Sequence, residues 1–129
     1  MAILILGGVV RRNTDILNNH ETLRRWLPHL CSLIGMHPVG EVHIQPYGHW
    51  EGGAPSAVLF IEESAIIVHT YPERDYLEIL LHSCKAICGE NKNRGTVTSA
   101  IVRELDMDIR YRHYLADCNW RELSDAHQR

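Results

Sequence analysis

Two apolar runs stand almost back to back in the middle of the chain. They constrain the fold more than any other feature. Ser56-Ala57-Val58-Leu59-Phe60-Ile61 is followed, after Glu62-Glu63-Ser64, by Ala65-Ile66-Ile67-Val68-His69-Thr70. Side chains alternate along a strand, so Ile66 and Val68 face one way and Ile67 and His69 the other. Two such runs separated only by acids and a serine predict a hairpin. The junction holds no Asn-Gly or Asp-Gly, the residues that suit a tight turn. A poor turn between good strands is a place where backbone strain can be stored for a purpose.

The flanking sequence extends this pattern. Residues 2–10 read as a first strand. The opening Met1-Ala2-Ile3-Leu4-Ile5-Leu6 is apolar but lacks the basic start of a signal peptide. Asn13 or Thr14 offers a helix cap, and a helical pattern then runs to Gly35. Its apolar face comprises Leu23, Trp26, Leu27, Leu30, Leu33 and Ile34. Pro28 either kinks this helix or opens a shorter second one, with a break over 18–21. Residues 39–47 alternate as a strand, and residues 48–55 form a glycine-rich loop carrying Trp50. Pro72-Glu73-Arg74-Asp75 is a turn. Residues 76–84 are apolar on both faces apart from Glu78 and His82, which predicts a central strand. A polar loop, a helix over 96–107 with Val97, Ala100, Ile101 and Leu105 on one face, and a strand over 108–116 complete the order. Residues 117–129 are a polar, loosely held tail.

Strand, helix, several consecutive strands, helix, strand predicts one α+β domain over 1–129. Its antiparallel sheet has two helices packed on one face, a two-layer sandwich. The other face is left naked. Burying it against a second copy predicts a homodimer with four layers, αββα.

Composition narrows the function classes. A net charge of −3 gives no footprint for nucleic acid. Hydrophobic content of 45% and charged content of 22% are those of an ordinary soluble domain. No apolar run approaches the roughly 18 residues of a membrane span. The four cysteines, Cys31, Cys84, Cys88 and Cys118, contain no Cys-x-x-Cys pair, so neither a zinc site nor another metal site is expected. Without a secretion signal, reduced thiols and a cytoplasmic location are the expectation.

Glu63-Ser64 followed by His69-Thr70-Tyr71-Pro72-Glu73 resembles the signature of the prokaryotic S-adenosylmethionine decarboxylases, Glu-Ser-His and then His-Thr-Trp-Pro-Glu. The resemblance covers about residues 2–116, with its specific part in 56–84. It implies a proenzyme that cuts itself between Glu63 and Ser64. The Ser64 hydroxyl attacks the Glu63 carbonyl carbon, turning the amide into an ester by way of an oxyanion. A base then removes the Ser64 α-proton, the Glu63 carboxylate leaves, and loss of ammonia leaves a covalent pyruvoyl cofactor derived from Ser64. Its carbonyl condenses with the substrate's α-amine and takes up the electrons released with carbon dioxide. The resemblance assigns the self-processing to Ser56 and His69, the latter as base. It assigns the proton donor to Cys84, eight residues after Tyr76. Cys88-Gly89 keeps the family's Cys-Gly pair, so Cys88 is the competing position. Glu73 would hold the ribose hydroxyls of S-adenosylmethionine. Tyr71 and Trp50 would offer aromatic faces to the adenine or the sulfonium. Taken alone, His69 reads as a hydrogen-bonded core histidine, Cys84 as a small buried hydrophobe, Ser56 as a strand-end serine and Glu73 as a solvated turn acid.

Three departures mark a divergent member. Ala65 stands where a histidine usually follows the cut serine. Leu80 replaces an aspartate. The loop over 51–55 has lost the usual wording. Two rival readings follow: a pyruvoyl-dependent decarboxylase of ornithine or arginine on the same frame, and an uncleaved homologue that binds a ligand or partner without catalysis.

Overall fold

The computed structural model describes residues 1–47, 54–62, 64–84, 87, 90 and 95–116. Six strands form one sheet: β1 (Ala2–Val9), β2 (His43–Tyr47), β3 (Ala54–Ile61), β4 (Ser64–Tyr71), β5 (Tyr76–Ser83) and β6 (Asp108–Leu115). Their spatial order is β2-β3-β4-β5-β1-β6, and every neighbouring pair is antiparallel. Helices α1 (His20–Ile34) and α2 (Thr96–Leu105) complete the fold, with a 3-10 turn over Thr14–Leu17 and another over Pro72–Arg74. The expected α+β sheet with two helices is therefore present. β5 is central, between β4 and β1, as its apolar character on both faces predicts.

Burial alternates along the strands and shows which face is covered. Leu4 and Leu6 of β1, Leu59 and Ile61 of β3, Ile66 and Val68 of β4, and Leu77, Ile79 and Leu81 of β5 are all buried. They pack in one cluster with Leu23, Leu27, Leu30 and Cys31 of α1 and Val97, Ile101 and Leu105 of α2. The residues between them, such as Ile5, Ile67 and Leu80, are only half-buried and look out from the opposite face.

The details differ from the sequence reading in instructive places. The helical pattern after residue 13 divides at Asn19, inside the expected break over 18–21, and Asn19 Oδ1 accepts from the Thr22 N–H at 3.0 Å and caps α1. Neither Asn13 nor Thr14 does this; the Asn13 side chain donates instead to the Glu104 carbonyl at 2.8 Å. Pro28 lies inside α1 and opens no second helix. Leu33 is exposed and Cys31 takes its place in the core. At 3.6 residues per turn Leu33 sits about 120° from Leu27, beyond the edge of the buried stripe. The second strand is only His43–Tyr47, with Pro38 making a single bridge to Ile61.

Two glycines in β1 permit a close approach. A Cβ at Gly7 would lie 2.3 Å from the Tyr111 ring, and one at Gly8 would lie 2.4 Å from the Asp108 carbonyl oxygen. The β1–β6 register shifts between these two residues, so the bulge depends on their bare backbone.

Candidate active site

The β3–β4 hairpin pairs Ile61 with Ser64, which puts Ser64 at the first position of β4. On the other side of β4, Ser64 pairs with Ser83 and Ala65 with His82. The Ser64 hydroxyl lies 2.6 Å from His82 Nδ1, and both residues are half-buried. Cys84 follows Ser83 directly, as a half-buried free thiol at the same end of the sheet. Glu63, Trp50, Cys88 and the tail over 117–129 lie outside the described residues. The turn strain expected at this junction is not seen in its described residues. Among the described residues, the non-glycine ones with positive φ are Asn13, Asp75 and Asp106, which excludes Glu62 and Ser64.

A second group sits at the far end of β4. Ser56 pairs with His69 across β3–β4, and Ser56 Oγ lies 3.0 Å from His69 Nδ1. His69 in turn stands opposite Glu78 of β5. Tyr71 ends β4, and Glu73 lies exposed in the 3-10 turn that follows. Tyr47 joins them: its hydroxyl donates to the Thr70 carbonyl. Burial, with Tyr71 and Glu73 close by, holds that hydroxyl above its ordinary acidity range. An aromatic row crosses the sheet from Tyr71 through Tyr76 to Tyr111, with ring centroids 6.1 Å and 6.4 Å apart. The Tyr111 hydroxyl donates to Glu78. A groove of about 760 Å³, lined in part by His43, Gln45, Ser56, Val58 and Ile67, opens beside this group.

The predicted residues thus fall into two sets at opposite ends of β4, not one. Ser64 and Cys84 share one end; Ser56, His69, Tyr71 and Glu73 share the other. Five residues of strand separate Ser64 from His69, about 17 Å at 3.3 Å per residue. Sequence reasoning missed His82, Tyr47, Glu78 and Tyr111 as members of these sets. The signal for two of them was visible, since Glu78 and His82 are the polar exceptions in β5. Tyr47 and Tyr111 come from distant strands and carry no local mark.

A serine at the head of an inner strand, hydrogen-bonded to an imidazole on an antiparallel sheet with helices behind it, is the arrangement that the fold presents. The profile of the S-adenosylmethionine decarboxylase family matches residues 4–112, and the chain belongs to that family. It is also similar to the arginine decarboxylase proenzyme of Caldivirga maquilingensis, with 26% identity over 102 residues, 79% of this chain and 72% of the relative. Among the described residues no helix is long and apolar enough to cross a membrane.

Proposed function

We propose that this chain is the precursor of a pyruvoyl-dependent decarboxylase that cuts itself between Glu63 and Ser64 and acts on S-adenosylmethionine in the cytoplasm. The observation that carries the reading is the Ser64 hydroxyl held 2.6 Å from an imidazole at the head of β4, directly after the Glu63-Ser64 bond. These residues fit a pyruvoyl group at position 64. A hydroxyl with a proton acceptor in reach is what an acyl shift needs, and the neighbouring Cys84 thiol can hold a proton for return to the substrate carbon. Once formed, the group supplies an electron sink for the decarboxylation. Tyr71, Glu73 and Tyr47 supply aromatic faces and a carboxylate for a cationic nucleoside-bearing substrate.

The separation of the two residue sets supports a homodimer. His69 cannot reach Ser64 of its own chain across about 17 Å of strand. Packing two open faces about a two-fold axis would bring Ser56, His69, Tyr71 and Glu73 of one protomer to Ser64 and Cys84 of the other. Ile5, Ile67 and Leu80, half-buried in a single chain, and Phe60, 51% exposed, would then be covered.

The arginine decarboxylase relative favours a second reading, with arginine as substrate. Glu73 and Glu78 would face its guanidinium as readily as a sulfonium. Intact mass under denaturing conditions tests the precursor reading. Two fragments, 1–63 and a ketoacyl-blocked 64–129, are expected. A single uncut mass after long incubation would overturn it and leave an uncleaved binding protein. Carbon dioxide release from S-adenosylmethionine and from arginine, offered separately to the cut protein, then decides the substrate.

A further inference from the structure

Ala65 leaves the position after the cut serine without a polar side chain, yet an imidazole reaches this point from the adjacent strand. The register sets His82 directly across from Ala65. His82 Nδ1 is 2.6 Å from Ser64 Oγ, shorter than the 3.0 Å between Ser56 and His69. On its other side His82 stands opposite Ile3 of β1. Along β5 its same-face neighbours are Leu80 and the Cys84 position. Glu62, just before the scissile pair, lies 3.8 Å from His37. Among the described residues, Cys84 shares this end of the sheet with His82 and the Ser64 hydroxyl it touches, and the pairing of Ala2 with Ser83 brings the Met1 end of β1 to the same place.

We propose that His82 is the proton acceptor for the Ser64 hydroxyl in the first step of self-cleavage, and so a catalytic residue for processing. This rests on the precursor reading above. With its ring proton on Nε2, His82 accepts the Ser64 Oγ proton at Nδ1. The Oγ–C bond to the Glu63 carbonyl carbon forms, and the Glu63–Ser64 C–N bond breaks. The proton passes from His82 to the departing Ser64 nitrogen. An amide has become an ester plus an amine, and His82 is neutral again. His69, arriving from the partner protomer, is left for the later removal of the Ser64 α-proton. The two histidines act on different protons of one residue.

The test follows each step separately in freshly purified full-length protein. Cleavage is read by intact mass, and the ester by hydroxylamine, which cuts an ester at residues 63–64 and leaves the amide alone. His82→Asn keeps an acceptor near Ser64 Oγ but cannot carry the proton. It is expected to slow cleavage by about 100-fold or more and to give no hydroxylamine-sensitive ester. Added imidazole should restore cleavage in His82→Ala. His69→Gln should instead accumulate the ester. Folded His82→Asn that cleaves within about threefold of the parent, or an ester that forms in His82→Asn and not in His69→Gln, overturns the proposal while the precursor reading stands. Should both His82 variants fail to fold, His82→Gln takes their place, and cleavage within about threefold of the parent overturns the assignment. If the parent protein never cleaves, the precursor reading itself fails, and His82 has no such role.

Discussion

Tyr111 shows how one side chain joins an unusual backbone to the candidate site. Its ring occupies the space that a Cβ on Gly7 would fill, and its hydroxyl donates to Glu78 on the strand beyond. Burial first, then the hydrogen bond and charge of Glu78, raise its pKa above the ordinary 10.0. The folded state therefore favours the neutral hydroxyl. The stability this confers is fully present below about pH 10 and is lost as pH rises beyond it, because the unfolded chain ionises first. Denaturant unfolding followed from pH 8 to 11 should show a loss of stability above pH 10 that is smaller in Tyr111→Phe. Gly7→Ala should push the ring aside and give the same smaller loss. The sequence named Gly7 only as part of a strand. Nothing local announced that Tyr111, 104 positions later, needs its bare backbone.

At the scale of elements, α2 shows a start that sequence could not read. Its N-cap residue, Gly95, has no side chain to offer. The fully buried Glu90 takes over: Oε1 accepts from the N–H groups of Val97 and Thr98, each at 3.1 Å, and Oε2 accepts from the Thr98 hydroxyl at 2.6 Å. Arg112 of β6 donates to the same carboxylate at 2.5 Å and ties helix to sheet. The helix dipole adds to this preference for a negative charge at its start. Glu90→Ala leaves the Arg112 charge and two helix donors without their acceptor. Denaturant unfolding should show a loss of about 3–5 kcal/mol, with Glu90→Gln less affected because one acceptor remains. The existence and kind of each element were legible from periodicity, but their ends were not. Asn19 caps α1 where Asn13 or Thr14 was expected, because the 3-10 turn over Thr14–Leu17 intervenes.

For the whole molecule, the division of the candidate site sets the strongest test of assembly. If Ser64 is served by His69 of the other protomer, each defect can be repaired by a partner that lacks it. Ser64→Ala and His69→Ala chains made separately should remain uncut. Made together, they should form mixed dimers in which the His69→Ala chain alone is cut, since its Ser64 meets an intact His69. Mass spectrometry distinguishes the two chains. No cleavage in the mixture, with mixed dimers present, would oppose the shared site.

The alternation of apolar residues by itself determined the strands, the two helices and the central place of β5, because period and burial are local consequences of backbone geometry. The family motif likewise marked Ser64, His69 and Glu73 from sequence alone. Only the tertiary structure decided that Ser56 is the hydroxyl beside His69, and that His82 is the imidazole beside Ser64. Cross-strand register decides both. It follows from how β4 lies against β3 and β5, and no property of a single strand encodes it.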